Sequence, residues 1–263
     1  MEKRLIARGL LAGVAGAVLA FLFARVFAEP VIGRAIEYED GRTDVAVAHG
    51  VHEHGVELFT RSVQANAGLG FGVLIFGVAM GALFAVLFCV VYGRVGEVGP
   101  QTLSALLAAG AFAAVYLVPF VKYPPNPPAV GHADTIGTRT GWYLVMVLAS
   151  VVLAVGAVWL ARILATRFGA WNAGLLAAGA YLVVIAVVML VSPTVDETPE
   201  PMRDASGAIV YPGFPADDLY DFRLVSLGTQ LVLWVTIGLV FSTLAGRLLG
   251  QRAETGRAAS ITA

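Results

Sequence analysis

Six long apolar blocks dominate this chain and leave few folds open to it. They cover residues 5–28, 68–92, 102–120, 142–161, 171–191 and 224–249. Each is near or above the ~20 residues with which a helix crosses ~30 Å of hydrocarbon. None alternates with period two, so membrane β-strands are excluded and helix is the expected conformation. In hydrocarbon every backbone N–H and C=O needs a partner within the protein, which a helix supplies along its own length. Composition agrees: 58% of the 263 residues are hydrophobic and 13% are charged, against about 25% charged in a soluble domain. The expected fold is an all-α integral membrane protein. Residues 1–250 would form a bundle of about six transmembrane helices with two longer acidic outer loops, and residues 251–263 a short polar cytoplasmic tail.

The connections alternate in character. Segments 29–67 and 192–223 are long and acidic, 93–101 and 162–170 are short and carry arginine, and 121–141 is proline-rich. With the N-terminus, the short turns and the tail on one side, that side carries nine cations, from Lys3 to Arg257, in short segments beside helix ends. The other side carries eight cations and fifteen of the eighteen acids. Cations in short loops set orientation, so both termini are expected in the cytoplasm and the chain in the cell (inner) membrane. The basic start followed by an apolar run resembles a signal peptide, but the run exceeds a typical h-region, so a retained anchor is expected. Gly9/Gly13, Gly68/Gly72 and Gly77/Gly81 form small-xxx-small pairs that allow close helix packing. Trp142, Tyr143, Trp171 and Phe120 stand at block ends, as an interfacial aromatic belt requires. The one cysteine, Cys89, excludes an intrachain disulfide framework and reads as a small apolar side chain.

Three constellations could carry chemistry. His49, His52 and His54 cluster with Glu53 and Glu57 in the first long connection, and on a helix His49, Glu53 and Glu57 would share one face. Neutral imidazole with carboxylate suits borderline divalent metals. The spacing matches neither His-Glu-x-x-His nor its inverse, and a hydrated polar loop is the alternative. The acids Asp196, Glu197, Glu200, Asp217, Asp218 and Asp221 precede the last block and read mainly as loop hydration, although oxygen donors can concentrate divalent cations. Arg25, Gln64, Asn66 and Gln230 fall at or near membrane depth, where polar groups face the bundle or a water-filled path. Gln230 is expected to face the bundle interior and to approach Arg25, Gln64 or Asn66. No Walker loop, dinucleotide fingerprint or Gly-x-Ser-x-Gly occurs, and no basic aromatic surface suggests nucleic acid.

Several strings together resemble the CbtA family of predicted cobalt transporter subunits, over nearly the whole chain. They include Arg8-Gly-Leu-Leu-Ala-Gly13, Phe21-Leu-Phe-Ala-Arg25 with Glu29-Pro30, and His52-Glu-His-Gly55 with Arg61 and Gln64. Tyr116-Leu-Val-Pro-Phe120, Lys122-Tyr-Pro-Pro-Asn-Pro-Pro128, Arg139-Thr140, Trp171-Asn-Ala173 and Tyr181-Leu182 follow, then Phe214-Pro-Ala216 and Phe222-Arg-Leu-Val-Ser-Leu-Gly-Thr-Gln230. The segment 202–211 is longer than the family's usual loop. The resemblance implies cobalt uptake linked to cobalamin biosynthesis, beside a small one-helix, histidine-bearing CbtB partner. The expected function is therefore a permease subunit for a divalent transition metal, with the metal as cargo and no resident cofactor. The rivals are a non-transporting scaffold or sensor subunit and a membrane-embedded metal enzyme, which would need an activated water and a substrate cleft.

Overall fold

The computed structural model describes residues 2–50, 68–96, 98–131 and 133–261, with helix throughout most of its length. Helix α1 (Glu2–Phe23) passes through a π turn at Ala24–Ala28 into α2 (Glu29–Ala48). Helix α3 is Leu69–Val91 and α4 is Pro100–Ala111; a second π turn, Phe112–Leu117, leads into the short α5 (Val118–Lys122). Helix α6 runs Ala133–Val191, a small hairpin pairs β1 (Met202–Arg203) with β2 (Ile209–Tyr211), and α7 is Ala216–Ile261. Among the described residues five continuous helices are long and apolar enough to cross a membrane. The longest, α6, is two helices joined at Gly169, whose φ of 76° and ψ of 159° interrupt it. The protein is an all-α membrane protein.

Both π turns lie just ahead of a proline, Pro30 and Pro119. Proline has no amide proton and its ring crowds the carbonyl four residues back. A widened turn relieves that crowding: at the first site the Glu29 amide bonds the Ala24 carbonyl, five residues back. The helix thereby continues through residues 29–48, which the sequence places in a connection. Val31, Ala35 and Tyr38 give the reason, since their i, i+4, i+7 spacing makes a buried stripe that is hard to see among Glu37, Glu39, Asp40 and Asp44.

The chain divides into two compact units. The first comprises Met1–Pro30, Gly55–Phe112 and Val225–Ala263; the second comprises Val31–His54 and Ala113–Leu224. In the first, α1 and α3 meet through Gly9, Gly13, Gly77 and Gly81. A methyl group at Gly81 would stand 2.6 Å from Gly13 Cα, and one at Gly77 2.7 Å from Ala17 Cβ. Gly16 rests on Leu233 and Ile237 of α7, and Phe241 makes edge contacts with Phe84 and Phe88, ring centres 5.2 and 5.1 Å apart. Among the described residues none stands within 4 Å of a methyl group at Gly72, so Gly72 does not repeat the contact of the other two pairs. In the second unit Tyr38, Ala35, Val130 and Phe214 form one apolar cluster. Tyr123, Met146 and Ile185 form another, beside which Ser150 and Tyr181 share a hydrogen bond of 2.8 Å.

This packing makes Gly81→Val the more damaging of two glycine changes. A branched side chain there has to force two helix backbones apart, an overpacking cost of about 1–3 kcal/mol. Gly72→Ala adds a methyl that meets none of the described residues. Thermal unfolding in detergent should show a clear loss for the first and none for the second.

Candidate functional site

The polar part of the second unit is assembled from residues far apart in the chain. Tyr38 donates to the Pro212 carbonyl at 3.0 Å, and Tyr211 donates to the Tyr38 carbonyl at 3.1 Å. Arg42 bonds the Tyr38 hydroxyl at 3.2 Å and the Glu200 carbonyl at 2.9 Å. These bonds tie α2 to the segment around the β-hairpin. Arg34 adds an exposed fork to Asp218 and Asp221, at 2.5 and 2.9 Å. Inside the hairpin turn, Asp204 accepts from the Ser206 hydroxyl, which first of all holds its carboxyl below the usual carboxylate range; bonds from the Ala208 and Ser206 amides add to this.

Glu197 is the centre of a second network. Its side chain is 1% exposed. Oε2 accepts from Asn126 Nδ2 and Arg139 Nη1, both at 3.1 Å, and Oε1 accepts from Thr135 Oγ1. Arg139 also donates to the Pro124 carbonyl at 2.5 Å, and Arg223 donates to Asn126 Oδ1 at 3.3 Å. A buried carboxylate is tolerable only with such pairing. The network joins the proline-rich segment, the start of α6, the loop before the hairpin and the start of α7. Those prolines cannot form an ordinary helix, and Tyr123 ends α5 at φ −128° and ψ 71°, directly before Pro124. The carbonyls left free there become acceptors for side chains.

Between the two networks lies an open cleft of about 1370 Å³. Its walls carry His49, Glu39, Asp196, Glu197, Glu200 and Asp204, together with Arg42, Arg139 and Arg203. All three arginines are tied to protein oxygens, Arg203 to the Gly207 carbonyl at 2.9 Å. The exposed carboxylates Glu39, Asp196 and Glu200, with the half-buried Asp204, therefore face a space whose arginines are already engaged. Such walls attract cations from solvent. His49 is exposed at the end of α2, with Nδ1 2.8 Å from the Val45 carbonyl. A carbonyl can only accept, so Nδ1 carries the proton and Nε2 offers its lone pair to a cation. Among the described residues no three His, Cys, Asp or Glu side chains converge as a ready metal site.

Of the residues singled out from sequence, His49 is on the cleft wall. His52, Glu53, His54, Glu57, Gln64 and Asn66 lie outside the described residues. Arg25 is exposed on the first π turn and Gln230 half-buried in α7, both within the first unit. Among the acids of the last long connection Asp196, Glu200 and Asp217 are exposed and Asp218 and Asp221 hold Arg34, while Glu197 is a correction to the hydration reading, being buried and paired. The site residues not singled out from sequence are Asn126, Thr135, Arg139 and Arg223. Three of them stand in strings that resemble family motifs, but nothing in their spacing says that they meet.

Apolar spans in a helical fold, with a polar cleft, define a multi-span helical membrane protein. The chain belongs to the CbtA family, described as a probable cobalt transporter subunit, whose model matches residues 2–246. No curated protein and no solved structure matches it. The family description is of a transporter subunit, not of an enzyme, and it supports a role in metal uptake alongside a partner chain.

Removing Glu197 should take away the buried carboxylate on which Asn126, Thr135 and Arg139 converge. Glu197→Ala is expected to cost about 3–5 kcal/mol. Asp218→Ala, at the exposed Arg34 pair, should cost at most about 1 kcal/mol. Thermal unfolding of the two variants in the same detergent measures the contrast.

Proposed function

We propose that this chain is the membrane permease subunit that takes up a divalent transition metal, cobalt foremost, for cobalamin biosynthesis. The observation that carries this reading is the cleft of a CbtA-family chain, where His49 and three exposed carboxylates share walls whose arginines are already engaged. The cleft concentrates cations, and imidazole nitrogen with carboxylate oxygen selects borderline metals over magnesium and calcium. The capture set is His49 with His52, Glu53, His54 and Glu57, which follow it directly in the chain. Arg25, Gln64, Asn66 and Gln230 border the path through the bundle. The metal is the cargo, and no resident cofactor is required. The partner is a small one-helix, histidine-bearing subunit of the CbtB type. The chain sits in the cell membrane with both termini in the cytoplasm and the cleft outside, an orientation supported by the cations of the short turns.

Two measurements test this. Reporter fusions at Gly96 and Thr166 should report the cytoplasm and one at Gly207 the outside; an external signal at Thr166 would overturn the orientation. Replacing His49, His52 and His54 together by Ala should lower cobalt uptake in cells lacking other cobalt importers, at unchanged membrane abundance. Full uptake by the triple variant would reduce the cluster to a hydrated loop.

A further inference from the structure

Two cavities of the second unit adjoin one arginine. Beside the cleft is a smaller cavity of about 260 Å³, walled by Tyr116, Phe120, Tyr123, Pro125, Thr140 and Tyr143. Among the described residues Arg139 alone borders both spaces. One is lined by carboxylates and the other mainly by aromatic rings, so the guanidinium stands at the change from a polar to an apolar compartment. It is held by oxygens, Glu197 Oε2 and the Pro124 carbonyl. Carboxylate and backbone carbonyl are also the donors that a divalent cation uses. Arg139 therefore occupies a position whose acceptors suit a cation.

We propose that Arg139 is a gate between the cleft and the aromatic cavity, latched on Glu197 and released when a divalent cation takes that carboxylate. Three features make the exchange physically workable. Glu197 keeps its bonds from Asn126 and Thr135, so it stays in place when the guanidinium leaves. Arg139 is 24% exposed, already partly reached by water. Asp196 and Glu200 stand on the same cleft wall as alternative partners for the displaced guanidinium. The charges allow the exchange: the cleft walls carry five carboxylates and three arginines, so the two charges of the incoming ion bring them to neutrality, and the departing guanidinium meets carboxylates whose charge is otherwise open to solvent. Beyond the gate, the faces of the aromatic rings carry negative potential toward a cation. Arg139 is a positioning residue here, since it controls access and does not travel with the ion.

The proposal rests on the permease reading for the identity of the ion, and its test reads access instead of uptake. In a Cys89→Ser background, Phe120→Cys places a single thiol on the aromatic wall. The rate of its modification by a small, positively charged, membrane-impermeant methanethiosulfonate is measured for the protein in lipid nanodiscs. Modification should be slow in that parent and about tenfold faster with Arg139→Gln, the change expected when a charge-assisted hydrogen bond is lost from the closed state. Cobalt chloride should accelerate the parent, and Glu197→Gln should abolish that acceleration while leaving Asn126 and Thr135 able to bond the side chain. Equal rates with and without Arg139→Gln overturn the gate. So does a parent rate that cobalt leaves unchanged, or a cobalt effect that survives Glu197→Gln. The cobalt arm alters neither Arg139 nor its fold, so it decides even where Arg139→Gln fails to assemble. Absence of cobalt uptake in cells, with these rate changes intact, would remove the permease reading and leave the gate standing.

Discussion

A peptide group in hydrocarbon has no water to bond, and that requirement shapes most of this molecule. It makes helices of the apolar blocks and leaves few places where the backbone can depart from the helix. The departures seen have chemical causes. Pro30 and Pro119 withdraw a donor, and each helix answers with a π turn that keeps its path. Gly169 supplies the positive φ at which α6 reverses into its second half. Pairs of glycines bring α1 and α3 into backbone contact, where dispersion and close packing replace the hydrophobic drive that lipid removes.

The second unit solves a different problem, that of holding polar groups in fixed positions at the ends of apolar helices. Its answer is to spend side-chain donors on backbone and carboxylate acceptors. Arg42, Arg139 and Arg203 each bond a backbone carbonyl, and Arg139 with Asn126 and Thr135 buries Glu197. One consequence is rigidity where the proline-rich segment, α6 and α7 begin or end. Another is that the cleft shows its exposed acids to solvent with its arginines engaged, so that its field favours cations.

How far the sequence reveals this depends on the length scale of each signal. The spans are visible because twenty consecutive apolar residues carry their own evidence. The close helix contact at Gly9, Gly13, Gly77 and Gly81 is half visible: the motif shows which residues could meet, while Gly72 fits the same motif and meets none of the described residues. Helix α2 is hidden because its stripe of Val31, Ala35 and Tyr38 is narrow and its remaining residues are charged. Glu197 looks like its neighbours Asp196 and Glu200, and only its partners, 58 to 71 positions away, distinguish it.

The sequence by itself determined that this is a multi-span helical membrane protein, which termini and turns carry the orienting cations, and that the chain resembles CbtA. Those properties follow from sums over local segments: hydropathy over a block, charge over a loop, and residue strings read in order. The tertiary structure decided which acid is buried, which arginine borders two cavities, and which glycines touch. These are properties of pairs distant in the chain, set by how helices and connections pack, and a segment read alone carries no record of the group that will stand 3 Å from it.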